Sequence, residues 1–182
     1  MGTGKSVRSM NSMNKFTSWH VGISAEAYTA ALFSRCGYDV SVQYCANQPE
    51  YDLIAVSGDL ILKISVKGSK DGSWGLTQKY LKNADYHAAT KAWLESHHKG
   101  TIFCLVQFKD TSINDNPRVY LAHPKEIAKR LDETAKGRGE TILYEKHTWG
   151  PKAFASGTTD RISDEWKFSA ERVEKMFELY GK

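Results

Sequence analysis

The chain has 182 residues, 41% hydrophobic and 25% charged, which is enough for one domain with a real core and is ordinary globular composition. Its longest apolar run, TIFCLVQF at 101–108, is far too short to span a bilayer. A net charge of +4 permits an anionic partner without demanding one, and the three cysteines, Cys36, Cys45 and Cys104, show no metal-binding or redox spacing. With no secretory signal in front of them, reduced thiols in a cytoplasmic protein are expected.

Residues 1–15 carry Lys5, Arg8 and Lys15 and no acid, and read as a flexible basic tail. GTGKS at 2–6 ends like a phosphate-binding loop, but it lacks the upstream glycine and the preceding strand that such a loop needs. Residues 16–182 read as a single domain, with a core over about 20–134 and a C-terminal extension over 135–182. A first helix is expected from Ser24 as N-cap, with Ala27, Ala30, Ala31 and Phe33 at helical spacing and Gly37 stopping it. YDVSVQY at 38–44 alternates like a strand. A loop through Pro49 leads to two apolar-alternating runs joined by Ser-Gly-Asp.

Beyond Gly75 the spacing predicts one helix over roughly 77–97, with Tyr80, Leu81, Ala84, Ala88, Trp93 and Leu94 facing the core. TIFCLVQF is expected to form a buried strand and RVYLA, 118–122, another. His123-Pro124 opens a helix through about 134. TILYEK, 141–146, reads as a strand, 147–165 as a long loop, and Ser169 caps a last helix through Tyr180. Val173, Met176, Phe177 and Tyr180 on that helix have packing spacing, with the chain's own core as the commoner destination and a homodimer as the other. The six histidines form no zinc-binding pattern. The order of elements gives an α/β domain with a central mixed sheet flanked by helices.

Chemistry concentrates in the hairpin YDLIAVSGDLILKISVKGS. If Gly58-Asp59 is a two-residue turn, Ser57 pairs with Leu60 and Asp52 falls opposite Ser65, with Glu50 opposite Lys67. Period-two alternation then puts these four on one face, and Leu53, Ala55, Leu62, Ile64 and Val66 on a uniformly apolar other face. Cross-strand partners lie about 5 Å apart, close enough to share an ion. Carboxylates holding Mg²⁺, with a lysine beside it to orient water and offset charge, are what phosphodiester hydrolysis requires.

With GISAEAYTAALFSRCGYDV, EYDLIAV and LKISVKGSKDGSW in this order, the chain resembles the PD-(D/E)XK nucleases, over roughly residues 20–134. It is most similar to the branches with a glutamate in the first helix, Holliday junction resolvases and some intron-encoded endonucleases. The resemblance implies a restriction-endonuclease-like core with C-terminal additions. It also implies Mg²⁺, or Mn²⁺, held by Asp52 and Glu26 with the Val66 carbonyl, and Lys67 activating water. The family's second carboxylate is absent: Ser65 stands there. Three readings follow. The site is rearranged, with Glu26 or Glu50 supplying charge and Ser65 holding a water; or it is dead, and the fold binds DNA or a protein without cutting; or Ser65 is an engineered inactivation.

DNA is the expected partner. Residues 63–99 hold seven lysines against Asp71, Asp85 and Glu95. Lys70, Lys79 and Lys82 are candidates for phosphate contact, with Ser69 and Gln78 as polar contacts. Trp74 is either a stacking platform for a base or a packed core residue.

Overall fold

The computed structural model describes residues 15–43 and 50–182. The GTGKS stretch, the basic tail up to residue 14, Cys45 and the Pro49 loop lie outside the described residues. Five strands form the central sheet: β1 (Asp39–Val42), β2 (Leu53–Ser57), β3 (Leu60–Ser69), β5 (Thr101–Gln107) and β6 (Arg118–Ala122), in the order β1-β2-β3-β5-β6. Only the β3–β5 contact is parallel, so the sheet is mixed. A crossover of more than thirty residues joins that parallel pair, and α2 (Tyr86–Glu95) lies in it.

Two cores result from alternation along the buried strands. On β5, Ile102, Cys104 and Val106 face a cluster shared with α1 (Ser18–Arg35) and α4 (Ala170–Tyr180). Phe103 and Leu105 face the opposite cluster, shared with α2 and α3 (Pro124–Glu133). The C-terminal helix is therefore part of the main core: Val173, Met176 and Phe177 are buried against the sheet, and the Tyr180 ring stacks on His123 at 4.0 Å. That face serves the chain's own interior. Arg172, also on α4, bonds the Leu121 carbonyl and both Glu126 carboxylate oxygens, tying α4 to β6 and α3.

Several boundaries differ from expectation. The first helix begins at Ser18 with Thr17 as N-cap, in a capping box completed by His20 where glutamate or glutamine is usual. Its buried stripe is Val21, Ala25, Thr29 and Phe33, while Ala27 and Ala31 are exposed. Gly37 does end it: at φ +88° it lets Tyr38 N–H reach the Phe33 carbonyl and Gly37 N–H reach that of Ser34. The expected helix over 77–97 is two pieces. A short 3-10 turn at Gln78–Tyr80 is cut off from α2 by Asn83 and Ala84, both left-handed at φ 52° and 56°. Asp85 then caps α2 by accepting from Ala88 N–H. The late segment holds short strands: β4 (Ser73–Gly75) pairs with β7 (Ile142–Tyr144), and β8 (Lys146–Thr148) with β9 (Thr159–Arg161). No helix among the described residues is long and apolar enough to cross a membrane.

Candidate active site

The hairpin has the register read from the sequence. Gly58, at φ +58°, opens a two-residue turn, Ser57 pairs with Leu60 and Leu53 with Ile64. Leu53, Ala55, Leu62, Ile64 and Val66 are all buried in the α1/α4 core. Pairing with β2 stops at Leu53, where the Asp52 N–H still donates to the Ile64 carbonyl and the Asp52 carbonyl accepts from Gln43 N–H. Past that point β3 keeps β5 on one side but has no strand on the other, so the N–H groups on that edge need another acceptor. The Asp52 side chain supplies it: Val66 N–H donates to Asp52 Oδ2 at 2.6 Å. The Ser65 hydroxyl lies 3.5 Å from the same oxygen, and Ser65 is only 2% exposed, so it forms the floor beneath the carboxylate. Lys67 Nζ stands 3.9 Å from Asp52 Oδ2, with more of its side chain in solvent.

Glu26 comes from α1, which crosses β3 at Gly68. A Cβ on Gly68 would sit 2.8 Å from both the Val21 carbonyl oxygen and the Val21 Cγ1, so only glycine admits this approach. The Glu26 carboxyl is pushed above its ordinary range, first by burial and next by repulsion from Asp52, with Lys67 partly offsetting both. The two carboxylates and the lysine thus share one electrostatic site although they come from distant parts of the chain.

The other expected members are placed differently. Both carboxylate oxygens of Glu50 accept the His98 N–H at 3.0 Å, which commits Glu50 to tying the β2 approach to the turn after α2. Among the described residues, no group of three or more His, Cys, Asp or Glu side chains is placed to hold a metal. Trp74 is a core residue at 2% exposure, edge-on to Tyr120, and its indole N–H donates to the Lys67 carbonyl at 2.9 Å. Its ring offers no face to a base; it positions the Lys67 backbone. Ser69 is buried too. Its hydroxyl donates to Asp71 and accepts from Gln107 Nε2. Burial acts to raise the Asp71 pKa, but the bonds from Ser69 and Ser73 outweigh it and hold the carboxyl below its ordinary range. The turn after Lys67 is therefore an internal knot, and its backbone amides at Asp71, Gly72 and Ser73 already have acceptors.

Lys70, Gln78, Lys79 and Lys82 remain at the surface. Lys79 lies in the 3-10 turn and Lys82 in the loop after it, so they share no helical face. No local pattern pointed to His97 beyond its place in a histidine pair unsuited to zinc. Its ring rests on Trp93 and Phe103, and Nδ1 lies 2.8 Å from the Trp93 carbonyl. Burial holds this imidazole below its usual range. The Trp93 bond and Glu50 work against that, and Lys67 and Lys79 add to it. Compared with known proteins, the chain matches no family model and no curated protein.

Proposed function

We propose that this protein is a metal-dependent DNA endonuclease built on a restriction-endonuclease-like core. The observation that carries the reading is Lys67 Nζ at 3.9 Å from the Asp52 carboxylate at the edge where β2 and β3 part, with Glu26 of α1 close enough for both charges to act on its carboxyl. The donor set suits Mg²⁺ or Mn²⁺: Mg²⁺ typically binds through one or two carboxylates and keeps several waters. Asp52 and Glu26 would hold the ion, whose chemistry when bound is to neutralise phosphate charge and lower the pKa of a water. Lys67, beside Asp52 and half in solvent, offsets charge developing on the phosphate. Ser65 gives the floor a hydroxyl where a third carboxylate would add charge, so an ion would be held only weakly.

Supercoiled and branched DNA incubated with millimolar Mg²⁺ or Mn²⁺ tests this. Scission by the unaltered protein, lost in Asp52→Ala and Lys67→Ala, is the expected result. A second reading, a nuclease-fold protein that binds DNA without cutting it, is favoured by the buried Ser65 and by the use of Asp52 Oδ2 as acceptor for Val66. Salt-sensitive DNA association with no scission by either metal would select it.

A further inference from the structure

The start of α1 carries exposed rings at the margin of the α1/α4 core: Phe16 touches that core edge-on through Phe108, at 5.8 Å, while Trp19 has, among the described residues, only the His20 ring beside it. Trp19 is 68% exposed and Phe16 42%. The His20 ring lies between them, 5.2 Å from Trp19 and 6.4 Å from Phe16. Lys70, which leaves the end of β3 three residues after Lys67, bonds the Phe16 carbonyl and lies over its ring at 5.9 Å. Lys15 adjoins and is exposed, so two lysines stand here against the one anionic carboxylate of Asp71, which Ser69 and Ser73 hold by donating to it. The surroundings of these rings are therefore basic.

Trp19 and Glu26 are seven residues apart on one helix, so they lie on the same stripe, two turns or about 10 Å apart along its axis. Gly22 lies between them, and a Cβ there would meet nothing within 4 Å, so the stripe is open. Glu26 follows Ala25, whose Cβ lies 3.0 Å from where a Gly68 Cβ would sit, so that end of the stripe lies beside β3 next to Lys67. About 10 Å corresponds to roughly three nucleotide steps along one strand of a duplex. Inside a paired duplex a base offers no face to an indole; an unpaired base does, and the flanking lysines suit its phosphates.

We propose that Trp19 is a stacking platform for an unpaired nucleobase beside the candidate cleavage centre, and that the substrate class is DNA with unpaired nucleotides within about three steps of the scissile phosphate. This rests on the nuclease reading for the position of that phosphate. The test is fluorescence anisotropy of the full chain in EDTA, so that nothing is cut. The probes are a labelled 20-base-pair duplex and the same duplex with a single-stranded flap. Trp19→Ala is expected to weaken flap binding by about tenfold and duplex binding by less than about twofold, with Trp19→Phe restoring most of the loss. Equal weakening of both probes, or none, overturns the proposal. So does a change from dimer to monomer in Trp19→Ala with DNA affinity intact, which would make this face a self-association surface. Asp52-dependent cleavage that is indifferent to Trp19 removes this proposal and leaves the nuclease standing. Failure of the unaltered protein to bind either probe removes both.

Discussion

Glu26 sits at higher energy as an anion in the folded protein than in the unfolded chain, because burial and Asp52 both oppose its charge. With the folded value raised, folding takes up a proton between the ordinary glutamate value and the raised one. The stability from this group is therefore lost as pH rises through that window, and the full cost is present at neutral pH. Glu26→Gln is expected to stabilise the protein at pH 7 by a few tenths of a kcal/mol, after allowance for solvent screening, in urea titration. Mg²⁺ should raise the melting temperature of the unaltered protein and leave Glu26→Gln and Asp52→Ala unmoved, which thermal melts with and without the ion would show. Cys104 follows the same physics. Burial pushes its thiol up to about 12, although the contact with Thr29 works against this. A variant with Cys36→Ser and Cys45→Ser should show no native-state labelling by a thiol reagent, and full labelling once unfolded.

At the level of elements, the site depends on how closely α1 seats on β3. Gly68→Ala puts a methyl group 2.8 Å from a backbone oxygen that cannot swing away. It is expected to cost about 1–3 kcal/mol by urea unfolding, and to weaken the Mg²⁺ response because Glu26 is displaced with its helix. Arg172 makes the matching link for α4. It is buried, and it bonds a main-chain carbonyl as well as Glu126. Arg172→Ala removes the Leu121 carbonyl's side-chain donor and the cation paired with Glu126, which keeps only the His123 N–H, and a loss of about 3 kcal/mol by urea unfolding is expected. The hairpin was legible because a Gly-X turn and period-two alternation agree on one register. The start of α1 was not, because His20 replaces the usual capping residue and the stretch WHVGIS hides its period. The helix expected over 77–97 failed for a related reason: an apolar rhythm continues through Asn83 and Ala84 although their backbone turns left-handed.

Across the whole molecule, the α/β class and all five sheet strands could be read from pattern, because each is a local property of four to ten residues. What could not be read was which exposed-looking groups the fold would enclose. Trp74 and Ser69 follow Lys67 closely in sequence and looked like substrate contacts, but the β4–β7 pairing and Gln107 draw them inside. Glu50 looked free until the crossover brought His98 to it. These partners lie some 30 to 70 positions away, beyond any local pattern.

The same distances set an order in time. The β2–β3 hairpin is local and of a kind that forms in about 1–10 μs, so Asp52 and Lys67 can meet early. Glu26 reaches them only once the preceding helix has settled into the notch at Gly68, and the parallel β3–β5 pairing waits for its long crossover. A chain in which only the hairpin has formed thus holds Asp52 and Lys67 without Glu26. If Glu26 is needed for cleavage, that partly folded chain is expected not to cut DNA.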